Sequence, residues 1–206
     1  MGIRSLRTAS ISTGVKRSKV WDQSAVIDNG AFESIQTVTV GSTAQSSISF
    51  TSIPSTYKHL QIRATGRDNR ASTWIDGCYI SFNGDTTGGN YYYHQMVGNG
   101  TSAASYNGGG STGYGLPNGL IAATNVTSAV GANIIDILDY TNTNKNTTVR
   151  VLTGVEDGTN GTTRIQSGIW LNTAAVTSIT LVNDGGSVPA NALFQQYTQF
   201  ALYGIR

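Results

Sequence analysis

Of the chain's 206 residues only 12% are charged, well under the ~25% of an average soluble domain, and glycine (25 residues) with serine, threonine and asparagine fills the deficit. A formal net charge of +2 together with short, ordered apolar runs excludes the disordered class, which combines low hydrophobicity with high net charge. One cysteine excludes a disulfide framework, no apolar run reaches the ~20 residues of a membrane span, and MGIRSLRTASIS lacks the apolar stretch of a secretory leader.

In chain order, the first feature is a basic arm. Residues 1–20 hold Arg4, Arg7, Lys16, Arg17 and Lys19 without an acid, a charge of +5, whereas the remaining 186 residues carry 8 basic and 11 acidic groups, a net −3. No aromatic residues interleave these charges and no folded basic face stands behind them, so nucleic acid is not the expected partner. An acidic neighbour is, with Trp21 completing the attachment segment. The expected boundary separates an arm, residues 1–30, from a body, residues 31–206.

Beyond the arm, helical periodicity is nearly absent and the apolar pattern has period two, which predicts strands. They are expected at Ile35–Val40, at Ser46–Ile53 (ended by Pro54, which cannot donate to a ladder), and at Lys58–Gly66, where Leu60, Ile62 and Ala64 share a face. Ile75–Asn83 follows, with Cys78 as a small core residue beside Ile80 and Phe82. Tyr91–Val97 places aromatics on both faces, and Gly98–Gly115 is expected to be a Gly/Ser/Asn loop. Gly119–Val126, Ala132–Tyr140, Thr148–Gly154, Arg164–Leu171, Val176–Asn183 and Tyr197–Gly204 complete the set. Asn-Gly and Asp-Gly turn signals punctuate them, for example at Asn83-Gly84 and Asp157-Gly158. About ten short strands so arranged predict an all-β, two-sheet antiparallel sandwich, with a jelly roll the expected topology. An immunoglobulin-like sandwich is the alternative, but its Cys…Trp…Cys hallmark is missing.

Little in the chain suggests catalysis. His59 and His94 are the two histidines, and each is expected to be a hydrogen-bonded histidine in or beside a sheet. Gly109–Gly113 reads G-x-S-x-G, but a nucleophile elbow needs a strand before it and a helix after it, and no helix is expected here. Asp136 and Asp139 would diverge on a strand, as would Glu156 and Asp157, so neither supplies the facing carboxylates of a glycosidase. Glu156–Gly161 lacks the spacing of a calcium loop and is expected to be a turn. No cofactor and no metal are expected. Binding has the better case: Trp74, Tyr92, His94, Tyr106 and Tyr114 lie in or near glycine-rich segments, and aromatic faces beside amides suit glycan contact. Tyrosine and tryptophan are also enriched at subunit interfaces.

The block around Ile48–Arg63, SISFTSIPSTYKHLQIRATGR, resembles a segment of bacteriophage virion structural and tail-fibre proteins, particularly those of marine and cyanobacterial phages. Such proteins pair a "SI.F.SIP..Y.HLQIR" block with a last strand ending in "F.LYGI", which is similar to Phe200-Ala201-Leu202-Tyr203-Gly204-Ile205 here. MGIRSLRTASISTGVKRSKVWDQSA also resembles their N-termini. The resemblance implies a non-enzymatic virion surface protein, assembled in the host cytoplasm, with the arm docked on another virion protein and the body a homo-oligomer, by analogy a trimer. A short tail fibre that binds a host surface glycan is the leading expectation. A capsid decoration protein is the alternative, and a polysaccharide-degrading tailspike is a third.

Overall fold

A computed structural model describes residues 31–71, 73–109, 116–122, 128–183 and 192–206. Arg4, Arg7, Lys16, Arg17, Lys19 and Trp21 lie outside the described residues, and so does Tyr114. Among the described residues the regular structure is β, apart from one 3-10 turn at Gly88–Asn90.

Twelve strands follow in chain order: β1 (Phe32–Thr39), β2 (Ser47–Phe50), β3 (His59–Gly66), β4 (Ile75–Phe82), β5 (Tyr91–Gly98), β6 (Ala103–Gly109), β7 (Leu116–Ala122), β8 (Gly131–Leu138), β9 (Thr147–Glu156), β10 (Gly161–Trp170), β11 (Ile179–Asn183) and β12 (Gln199–Ile205). They form two antiparallel sheets, an eight-stranded one in the order β1-β12-β3-β8-β9-β10-β5-β6 and a four-stranded one in the order β2-β11-β4-β7. The all-β expectation therefore holds.

Alternation decides which side chains enter the core. Leu60 and Ile62 from β3, Ile135 and Ile137 from β8, Val149 and Val151 from β9, and Phe200 and Leu202 from β12 are buried on the large sheet. Ile48 and Phe50 from β2, Ile80 and Phe82 from β4, and Ile179 and Leu181 from β11 belong to the same cluster from the small sheet. Cys78 is buried there too and fills its place as a small, largely apolar residue. At one corner Trp170 stacks on Tyr91 at 6.4 Å and tilts against Phe82 at 5.5 Å. The polar edges of these rings are satisfied together: Trp170 Nε1 donates to Asp85 Oδ2 at 2.7 Å, and the Tyr91 hydroxyl donates to the Asp85 carbonyl at 2.8 Å. Burial alone would raise the Asp85 carboxyl, but donation from Trp170, Asn90 and Thr87 outweighs it and holds the group below its ordinary value.

Two of the segments that carry the phage resemblance are neighbours. β3 and β12 pair from Thr65 opposite Gln199 to His59 opposite Ile205. Tyr57, just before β3, lies over Gly204, where a Cβ would overlap the tyrosine ring. Arg206 also lies over that ring, at 5.5 Å. Glycine at 204 is thus required by the close approach of Tyr57.

Two expectations need correction. Gly98–Gly115 is not loop throughout, because Ala103–Gly109 forms β6 and pairs with β5 along its whole length. Its Ala, Ser, Asn and Gly residues have weak strand propensity, so the ladder offered by β5 overrides local preference. A tight connection makes this possible: Asn99 Oδ1 accepts from the N–H groups of Thr101 and Ser102, and Gly100 takes φ +85°. The last strand starts at Gln199 rather than at Tyr197, which has φ +71° and so cannot continue a strand.

Candidate functional site

The face of the large sheet turned away from the core is the main surface of the body. Cross-strand register arranges its side chains in rows across the strands. One row runs Arg63 (β3), Ile134 (β8), Leu152 (β9), Ile165 (β10), Met96 (β5) and Ser105 (β6), each directly opposite the next. Its four central members are apolar and in solvent: Ile134 is 37% exposed, Leu152 47%, Ile165 60% and Met96 67%. On one side lies a polar row of Gln61, Asp136, Arg150, Ser167, His94 and Asn107 in the same register. On the other side stand small residues, including Ala132, Gly154 and Gly98. Within the polar row Gln61 Nε2 donates to Asp136 Oδ1 at 2.7 Å, and Arg63 Nε donates to Gln61 Oε1 at 2.9 Å. Arg63 also covers the ring of Phe32 at 4.9 Å, which packs on Tyr203 at 4.8 Å.

The structure separates the aromatic candidates. Tyr92 and His94 alternate with buried Tyr91 along β5 and share the outer face with Met96. Tyr106 stands opposite Gln95 and so belongs to the other face. There it adjoins Arg164, together with Tyr93 and Tyr79, and burial lowers the Arg164 pKa. Trp74 sits on the approach to β4 and is half-buried against Ala122 and Val155. Of the four described candidates, Tyr92 and His94 are brought together on one exposed surface, whereas Tyr106 and Trp74 are placed elsewhere.

His59, Asp139 and Asp157 each make contacts that hold local structure. His59 Nδ1 accepts the Asp139 backbone N–H at 2.9 Å, as expected of a hydrogen-bonded histidine in or beside a sheet. Asp139 binds Lys145 and Lys58, which hold its carboxyl below the ordinary value. Asp157 caps its turn, accepting from the N–H groups of Thr159 and Asn160, and these bonds lower its pKa. Glu156–Gly161 is thus the β9–β10 turn. Gly109 closes β6, while the remainder of the G-x-S-x-G match lies outside the described residues.

A buried carboxyl pair escaped the sequence reading. Asp68 and Asp76 are both buried and hydrogen-bond to each other, with Asn183 Nδ2 donating to Asp68 at 2.8 Å and Arg70 donating to Asp76 at 2.7 Å. Burial first, and then the Asp76 carboxyl, push Asp68 up to about 7. The two are too close to hold a sugar between them, and their partners come from the residues after β3, from β4 and from β11. The pair therefore ties the end of the small sheet to the large one. Asp68 and Asp76 belong to different segments, one after β3 and one in β4, and only the folding of those segments beside each other brings the two carboxyls into contact.

No family model, curated protein or solved structure matches the chain.

Proposed function

We propose that the chain is a non-enzymatic structural protein of a bacteriophage virion, a short tail fibre or receptor-binding component carried by its N-terminal arm. The observation that carries this reading is the strand order. Set apart β9, β10, β5 and β6, and the remainder reads β1-β12-β3-β8 over β2-β11-β4-β7. Successive strands then alternate between two four-stranded sheets, except for β4 and β7, which pair within the small one, and the first and last lie side by side, as in two Greek keys folded into a jelly roll. Jelly rolls serve in viral capsid and lectin domains, so the topology agrees with the resemblance carried by the β3 and β12 blocks. The other four strands widen one sheet and add exposed surface to the same body. Tyr92 and His94 lie on that added area and are the residues assigned to a host glycan.

Decoration of the capsid is the second reading, favoured by a specific observation. The outer sheet face combines few charges with a continuous apolar row, which suits a surface covered by neighbours. Quantitative mass spectrometry of intact particles, with labelled imaging, separates the two. A few dozen copies or fewer at the tail support the fibre; a copy number near that of the capsid subunit, spread over the head, supports decoration. Absence from purified particles overturns both.

A further inference from the structure

We infer that the outer face of the eight-stranded sheet is a two-fold interface on which a second copy of this chain docks, β9 lying over β10 of its partner. The inference goes beyond the virion reading and does not depend on it; a dimer of this kind covers Tyr92 and His94, so it excludes the glycan contact assigned to them and accords with the decoration reading. Ile134, Leu152, Ile165 and Met96 occupy one straight row over four adjacent strands, β8, β9, β10 and β5. Scattered exposed apolar residues are ordinary on a protein surface, but an in-register row of four on adjacent strands is a contiguous patch.

The row is self-complementary about one particular axis. A two-fold axis parallel to the strands and passing between β9 and β10 exchanges β9 with β10 and β8 with β5. Leu152 of each copy then faces Ile165 of the other, and Ile134 faces Met96. In the neighbouring row the same operation sets the Asp136 carboxylate against the His94 imidazole, Arg150 against Ser167 and, one strand farther out, Gln61 against Asn107. In the row beyond, Leu138 meets Tyr92. Apolar residues thus meet apolar ones, and the acid meets a nitrogen donor, in both halves at once, as an isologous contact requires. Turning the partner about an axis along the row instead would set Asp136 and Arg150 against Ala132 and Gly154, burying both charges on small residues whose side chains offer no polar group across the interface. Chemistry therefore selects the first axis.

The area suffices as well. Strands β3 to β6 across this face, spaced about 4.8 Å apart and about seven residues long, cover on the order of 600 Å² per copy, or about 1,200 Å² for the pair. That is the lower bound of a standard specific interface.

Sedimentation velocity on the full chain, over micromolar to several-hundred-micromolar concentrations, tests the proposal. A concentration-dependent dimer is expected. Leu152→Asp and Ile165→Asp should each weaken it by about 10- to 100-fold while leaving the melting temperature unchanged, since both side chains are exposed in the single chain. Should either variant unfold, cross-linking decides the matter. Mixing Ile134→Cys protein with Met96→Cys protein and adding a short bismaleimide should give a cross-linked dimer, with neither variant cross-linking alone. A chain that stays monomeric throughout overturns the proposal, as does an oligomer indifferent to both aspartate variants. Cross-linking of either cysteine variant to itself overturns the axis. A monomer whose Ile165→Asp variant loses adsorption to host cells assigns the face to a receptor instead.

Discussion

Asp68 lies buried against Asp76, and its proton is favoured by that burial and by the second carboxyl, which together place its pKa at about 7 against an ordinary 3.8. A raised acid contributes stability that is fully present below the unfolded-state pKa and is lost as pH rises through the folded value. The window is therefore about pH 4 to 7, and melting should occur at lower temperature at pH 8 than at pH 5. Asp68→Asn, which keeps a donor toward Asp76 at every pH, should flatten that difference; identical slopes in the two proteins would place the effect elsewhere. Asp85, Asp139 and Asp157 are shifted the opposite way, so their contributions are lost as pH falls below about 4. Gly204 gives a second test at this scale. Gly204→Ala forces a methyl group into the Tyr57 ring and should cost about 1–3 kcal/mol by denaturant unfolding, whereas at open Gly89 the same change should cost little.

At the scale of the strand, β5 carries two adjacent tyrosines with opposite roles. Tyr91 is buried, stacks on Trp170, and its hydroxyl accepts the Phe82 N–H at 3.2 Å while donating to Asp85. Tyr92 is 44% exposed on the outer face, opposite Ile169 and Gly109. Tyr91→Ala should destabilise the body by about 3–5 kcal/mol. Tyr92→Ala should cost about 1 kcal/mol or less by thermal denaturation and, on the proposed function, should reduce host adsorption. A Tyr92→Ala protein that adsorbs normally removes that ring from the receptor site. Pairing of the weakly β-prone β6 with β5 also changes where binding would occur, since the surface around Tyr92 is a sheet face with its side chains held in register rather than the tip of a long loop.

At the scale of the whole molecule, the body holds ion pairs such as Arg70 with Asp76 and Arg206 with Glu33 and carries an apolar row on one face, while the sequence's first twenty residues hold five cations and no acid. On the proposed function, this basic segment bridges to an acidic neighbour on the particle. Deleting residues 1–20 should leave the melting temperature of the body unchanged and abolish incorporation into particles. A folded deletion protein that assembles at wild-type copy number removes the arm from attachment.

Much of the fold was legible because side-chain alternation follows from the covalent geometry of an extended chain. Lys58–Gly66 and Ala132–Tyr140 announced their buried faces as soon as Leu60, Ile62, Ile135 and Ile137 were seen two apart, and Asn83-Gly84 announced a turn with both residues at positive φ. Ladder hydrogen bonds, by contrast, are made by backbone groups common to every residue, so alternation says which face is buried but not which strands are neighbours. Only the tertiary structure decided that β3 lies between β12 and β8, that β6 adds to β5, and that Asp68 meets Asp76. For the same reason the candidate site was half legible. Tyr92 and His94 could be placed on one face from their spacing, but Tyr106 could be placed opposite them only once its register with Gln95 was known. The row of Ile134, Leu152, Ile165 and Met96 draws one residue from each of four strands and is written nowhere along the chain; it exists because antiparallel register brings those residues side by side.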